Sequence, residues 1–292
     1  LLENHRFSPL PVSWLQRAVY NWQITMERWT TKNYHPVAKR SVASVNTTQT
    51  HLIPSAFTQK LLLSAIILTC QSQLFADIFP VPYQAVYSTS FSGISAKMNQ
   101  SLEQTTPGQW HLQNDMSIAF VGFSEEAIFS TEGHVMTPQR YQYKNAMSNK
   151  RSSDLSFNNE QRTVIDSLHS IEPLPLREGA LDKLSFQAQL RADLISADGD
   201  FIEKIYALVD RTKYKIYTVK KLSDVVLETP LGTFDAVKLE QRRSGTDRYT
   251  LIWTAKELDH MILRIQRIDK DGDGPEVNLQ SLTLNGTKIS DK

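Results

Sequence analysis

The 292 residues are 40% hydrophobic and 22% charged, and the formal net charge of +1 gives no electrostatic basis for nucleic acid or an anionic membrane surface as partner. Seven of the 32 bases but only two of the 31 acids precede residue 61, so the remainder carries about four net negative charges and no basic stripe. The lone cysteine, Cys70, lies in an apolar run; once that run is removed, disulfides, zinc–thiolate sites and a cysteine nucleophile are excluded.

Residues 1–57 are read as a disordered extension or the product of an over-extended reading frame. Residues 41–55 are rich in Ser, Thr and Asn without hydrophobic periodicity, and a basic aromatic surface helix near 13–22 is the weaker alternative. Lys60 then precedes ten mostly apolar residues, Leu61 to Cys70, and a more polar stretch ending at Ala76. A positive charge, a short apolar core and a small residue predict a secretory signal at 58–76, cleaved after Ala76. The run is short of the ~20 residues that span a bilayer. An uncleaved anchor or a buried helix are the alternatives. Leu68 and Thr69 fit poorly before a lipid-modified cysteine.

From residue 77 on, one domain is expected, built of alternating strands. Residues 83–91 alternate Tyr, Ala, Tyr, Thr, Phe. In 110–120, Trp110, Leu112, Met116, Ile118 and Phe120 share one face, and His111, Gln113, Asp115 and Ser117 the other. Side chains that alternate in this way make a strand with one buried and one wetter face. Tyr249, Leu251 and Trp253 repeat the pattern, as do Met261, Leu263 and Ile265. Pro107-Gly108, Glu132-Gly133, Pro230-Leu231-Gly232 and Asp271-Gly272-Asp273-Gly274 punctuate the runs. Connections this short join antiparallel neighbours. About ten strands are expected over 83–284, enough for a curved sheet or partial barrel.

Residues 181–195 alternate at Phe186, Ala188, Leu190, Ala192 and Leu194, yet consist of Leu, Gln, Ala, Arg and Asp with no β-branched residue before Ile195. That composition favours helix over strand. A single helix is predicted there, covering an open face of the sheet.

Several blocks carry a family likeness: Asp182-Lys183-Leu184-Ser185, the stretch Glu228-Thr229-Pro230-Leu231-Gly232-Thr233-Phe234-Asp235-Ala236-Val237-Lys238, Thr250-Leu251-Ile252-Trp253-Thr254-Ala255-Lys256-Glu257-Leu258, and Arg264-Ile265. With the opening Pro82-Tyr83-Gln84-Ala85-Val86-Tyr87, they make nearly all of 80–286 resemble a bacterial family catalogued as domain of unknown function 3108. The resemblance implies an exported, β-rich domain. It implies no activity and no functional residues. Read physically, Pro230 presets φ and Gly232 permits φ > 0 in a turn that feeds a strand. Trp253 reads as a core anchor, with ligand stacking as the alternative.

Residues 269–274 begin like a calcium loop, but the twelfth position is Gln280 in place of the bidentate Glu, and strand patterns flank it. An acidic hairpin turn is expected there instead. His111, His134, His169 and His260 form no zinc spacing, and His111 reads as a solvated side chain. Arg242-Arg243 and Lys220-Lys221 read as surface or edge-protecting charge. No nucleophile elbow, phosphate loop or dinucleotide fingerprint is present. No catalytic, cofactor-binding or metal-ligating residue is therefore assigned, and no enzyme is expected.

The sequence thus predicts a periplasmic, mainly β protein with a curved antiparallel sheet or partial barrel closed by one helix near 181–195. The expected function is non-catalytic binding of a lipid or other apolar or amphipathic envelope molecule. A partner-binding role in envelope assembly is the alternative, and hydrolysis a third reading.

Overall fold

A computed structural model describes residues 79–91, 94–118, 121–270 and 272–290. The expected signal at 58–76, Cys70 and the extension 1–57 lie outside the described residues.

The first half of the domain is a meander of β1 (Tyr83–Phe91), β2 (Ile94–Thr106), β3 (Gln109–Ile118), β4 (Val121–Glu132), β5 (Val135–Asn145), β6 (Ser153–Asn158), β7 (Thr163–Asp166) and β8 (Leu174–Pro175). A helix, α1 (Lys183–Ser196), follows. The second half is β9 (Glu203–Asp210), β10 (Lys213–Thr229), β11 (Gly232–Arg243), β12 (Tyr249–Ala255), β13 (Met261–Asp269), β14 (Gly272–Leu284) and β15 (Thr287–Ile289).

All strand pairs are antiparallel and belong to one sheet. The strands run from β8 back to β1, then from β14 down to β9, so β1 and β14 join the halves and β15 adds to β14. α1 therefore connects the two opposite edges of the sheet. The sheet is curved and unclosed. At one end the edge strand β8 is tied to β10, the neighbour of the other edge, since the Tyr214 hydroxyl donates to the Pro175 carbonyl at 2.8 Å and accepts from the Arg177 amide at 3.1 Å.

The expected alternation holds on β1 and β3, although Ile118 and Phe120 lie outside the residues whose side chains are described. β12 and β13 bury residues of both phases, and a bulge at Leu263 puts Ile262 and Ile265 on one face in place of the expected Met261, Leu263 and Ile265. Trp110, Leu112 and Met116 are buried, and Ala85, Leu102, Ala127, Phe129 and Tyr141 continue the inner surface on neighbouring strands. The described residues form fifteen strands, against about ten expected. The added ones include the short strands β6 to β8 and β15.

α1 begins two residues after where composition placed it. Asp182 caps it, accepting from the amides of Leu184 at 2.8 Å and Ser185 at 2.9 Å and from the Ser185 hydroxyl at 2.6 Å. Its setting differs from the expected lid over one face. Leu184, Phe186, Ala188, Leu190, Arg191, Ala192 and Leu194 are all buried, which covers every side of the helix. A helix buried all round belongs inside a core, and here the sheet curls about it. Tyr87 on β1 shows the curl, reaching across β14 to donate to the Ile262 carbonyl on β13 at 3.0 Å.

Candidate functional site

Side chains from both halves of the sheet and from the first two turns of α1 leave a cavity of about 180 Å³ inside the domain. Lys183, Phe186, Gln187 and Leu190, spaced three or four apart, present one face of α1 to it. Opposite them are Ala96, Met98, Met116 and Phe123 from β2 to β4 and Ile252, Ile262, Ile265 and Val277 from β12 to β14. Thr89, Arg267 and Pro275, close to the hairpin ends of β1, β13 and β14, also line it, so the cavity reaches the end of the sheet where these strands turn.

The inner border of this apolar space is polar. Gln100 on β2, Asn114 on β3 and Glu125 on β4 stand directly opposite one another across the strand pairs. Gln100 Nε2 donates to Asn114 Oδ1 at 2.8 Å, and Asn114 Nδ2 to Glu125 Oε2 at 3.3 Å. The Tyr83 hydroxyl donates to Gln100 Oε1 at 2.8 Å at one end, and the Tyr141 hydroxyl to Glu125 Oε1 at the other. Gln100 Nε2 also reaches Gln187 Oε1 on α1 at 3.2 Å. Buried amides and hydroxyls are costly unless bonded, and this row satisfies itself laterally. The sequence reading passed over these residues. Their signal was present: each is a polar residue in the inward phase of an alternating strand, such as Asn114 between Leu112 and Met116.

Charge inside the domain is concentrated on and around α1. Burial pushes the Asp182 carboxyl up to about 6, against the lowering effect of the hydrogen bonds it accepts. Lys215 and Asp210 form a buried ion pair on the β9–β10 hairpin, where burial pulls the lysine down to about 7. Arg191 is 3% exposed. Its Nε donates to the Asp259 carbonyl at 3.0 Å and its guanidinium lies 4.8 Å and 5.1 Å from the rings of Phe79 and Tyr83. Burial depresses its ordinary value, and burial also lifts Tyr83 to about 12.

The residues singled out from sequence lie away from this interior. Trp253 is 7% exposed and shares its face of β12 with Leu251, opposite the face that turns Thr250 and Ile252 to the cavity. Lys238 and Arg264, its direct neighbours on β11 and β13, stand 5.2 Å and 5.7 Å from its ring. Of the calcium-like stretch, Asp271 lies outside the described residues, and Asp269 pairs with Gly272 where β13 meets β14. Asp269 accepts from Arg267 at 2.7 Å and lies 3.1 Å from Arg248. Among the described residues no group of three metal-ligating side chains converges.

His111 is corrected from a solvated side chain to a partner of Glu126, 3.1 Å away across β3 and β4. His169 Nδ1 lies 3.0 Å from the buried carboxylate of Asp166, which also accepts from the Ser153 hydroxyl at 2.6 Å. Here the carboxylate sits between serine and histidine, whereas a catalytic triad needs the imidazole in the middle. His260 bonds to Thr254 at 3.1 Å, and burial depresses it to about 4. The basic pairs are not on edge strands. Arg242 bonds Glu240 at 2.9 Å and Lys221 pairs with Asp224 at 3.1 Å.

Comparison with known proteins gives one family. The model described as "Protein of unknown function (DUF3108)" matches residues 105–279, more than half of the chain. Among solved structures, a β-barrel-like protein of the domain of unknown function DUF1849 from Brucella abortus is 10% identical, with a TM-score of 0.47 over 70% of this chain and 98% of that one. A protein with a YmcC-like fold from Bacteroides fragilis is also 10% identical, with a TM-score of 0.31 over 70% of this chain and 96% of the other. No curated protein matches the chain.

Proposed function

The chain belongs to the DUF3108 family, and we propose that it is an exported, non-catalytic binding protein whose interior cavity receives the apolar part of a small amphipathic envelope molecule. The observation that carries this reading is an apolar cavity bordered by the Gln100–Asn114–Glu125 row. Apolar walls supply affinity, and a few placed polar groups orient what enters.

Volume limits the occupant. The cavity's 180 Å³ slightly exceeds the ~150 Å³ in which an apolar protein cavity binds benzene. It falls below the roughly 300 Å³ at which pockets for drug-sized ligands begin. A ring or chain of about six to eight carbons is the matching load. A longer tail must extend out past the hairpin ends.

Two observations favour binding over catalysis. None of the described histidines lines the cavity, and the His169–Asp166 pair lacks the order that activates a serine. Export is supported by the charge, apolar core and Ala76 pattern at 58–76. Among the described residues no helix is long and apolar enough to cross a membrane.

The test is native mass spectrometry of protein purified from the bacterial envelope, paired with thermal unfolding in envelope lipid extract. A bound mass that dissociates on activation, together with a raised Tm, is expected. Bare protein and an unchanged Tm would reject the reading. A partner-binding role has one observation in its favour: Ile202 and Ile205, beside or on edge strand β9, are 76% and 65% exposed. A photo-crosslinker at Ile205 that captures no protein in intact cells would remove it.

A further inference from the structure

Arg191 is a buried cation without a buried anion. Among the described residues no carboxylate lies within ion-pair distance of it, and its Nη2 has no hydrogen-bond partner. Its contacts are the Asp259 carbonyl, the Phe79 and Tyr83 rings and the Tyr83 hydroxyl, and the Asp259 carboxylate favours its charge only from beyond ion-pair distance. An ionised group in such a place is costly unless a counter-charge completes it. A guanidinium offers five donors in a planar fork that fits a carboxylate in bidentate fashion.

The position of Arg191 relative to the cavity gives this unused capacity a purpose. Arg191 lines a small void of about 10 Å³, too small for more than one water. Tyr87, Gln100, Gln187 and Ile262 line both this void and the larger cavity. The 3.2 Å Gln100–Gln187 hydrogen bond therefore lies on the boundary between apolar space and buried cation. Gln187 is half-buried on α1, and turning its side chain away would merge the two spaces. The cavity lining also carries Lys97 and Lys183 against Glu125, the charge of Arg267 being met by Asp269. Glu125 stands on β4, three strands from β1, where Tyr83 meets Arg191, or roughly 14 Å at ordinary strand spacing.

We propose that the ligand is an aliphatic monocarboxylate, bound head inward, with its carboxylate on Arg191 after displacing Gln187 and its chain in the cavity toward the hairpin ends. This inference rests on the cavity-binding reading above and names the ligand class for it.

The experiment titrates the full chain with hexanoate and, separately, with 1-hexanol at pH 7.5, by calorimetry or ligand-observed NMR. Hexanoate is expected to bind at least tenfold more tightly than the neutral alcohol. Arg191→Met should abolish that ratio while leaving hexanol binding in place, and Lys183→Met should preserve it. Equal binding of the two ligands by the unmodified chain overturns the carboxylate inference and leaves the cavity reading standing. Binding of neither overturns both. Loss of the preference in Lys183→Met also overturns the inference, because the anion would then be held at the helix start. Should Arg191→Met not fold, the ratio in the unmodified chain and in Lys183→Met decides.

Discussion

Asp182 combines two roles that pull its ionisation in opposite directions. As N-cap it must accept three hydrogen bonds, which favour the carboxylate, yet it is fully buried, which favours the acid. Burial prevails, and the folded group titrates at about 6, compared with about 3.9 in an unfolded chain. Between these values the folded state binds more protons than the unfolded one. The stabilisation from this group is therefore complete below the lower value and is lost as pH rises to about 6, on the order of 2–3 kcal/mol. Asp166 and Asp210, whose values are lowered, give the opposite slope, so the comparison must be with a variant. Asp182→Asn keeps an acceptor for the Leu184 and Ser185 amides. Urea midpoints measured from pH 4 to 7 should show the variant gaining on the native chain as pH rises. Parallel curves would contradict this.

Residues such as Asn114 and Gln100 mark the limit of what the sequence made legible. An isolated polar residue in an apolar phase looks the same whether it is a lapse in the pattern or one member of a row. Only the register, which sets Gln100 against Asn114 and Asn114 against Glu125, distinguishes them. Arg191 was hidden for a similar reason. On a helix taken to cover a sheet, an arginine is expected to reach solvent along its aliphatic stem. On a helix enclosed by a sheet it cannot.

At the scale of elements, strands with one buried face were readable because period-two alternation has a direct physical cause. Trp110–Met116 on β3 and Tyr83–Tyr87 on β1 are examples. The turn at Pro230-Leu231 was equally readable, and Gly232 has the positive φ (113°) the motif requires. β10 was read only at its end. It runs 17 residues, and the bulge at Leu222 shifts its phase, so no single alternation spans it. The helix was legible through composition and through Leu181, Leu184, Ala188 and Ile195 near helical spacing, although a segment buried on every side has no single apolar stripe.

α1 is also pinned to the sheet by hydrogen bonds. Gln189 Oε1 accepts from the Met136 amide at 2.8 Å and its Nε2 donates to the His134 carbonyl at 2.9 Å, tying the helix to the β4–β5 hairpin. Gln189→Leu leaves both backbone groups unpaired and should cost about 1–3 kcal/mol. Hydrogen exchange at the Met136 amide should accelerate with it. Exchange and stability unchanged from the native chain would mean that the helix is held by packing alone.

For the whole molecule, the connectivity accounts for the cavity. The chain lays down β1 to β8 in one direction, passes α1 through the interior, and returns from β9 to β14 to meet β1. A sheet curled about one 14-residue helix has interior left over where the helix begins, and large side chains such as Phe123, Phe186 and Met116 fill it only in part. The same connectivity leaves β8 and β9 as the two edges, with Tyr214 on β10 bonded to β8 and Leu181 bridging part of β9, so the sheet is curved without being closed. That arrangement puts apolar space and a hydrogen-bonded polar row within one domain.

The methionines provide the most direct test of that space. Met98 and Met116 line the cavity, Met136 is buried elsewhere against α1, and Met147 is exposed. The chain labelled with ¹³C at its methionine methyls is titrated with 1-hexanol and followed by NMR. Saturable shifts at Met98 and Met116, with Met136 and Met147 unmoved, are predicted. Unmoved Met98 and Met116 signals, or equal drift of all the methyls, would contradict an interior binding cavity.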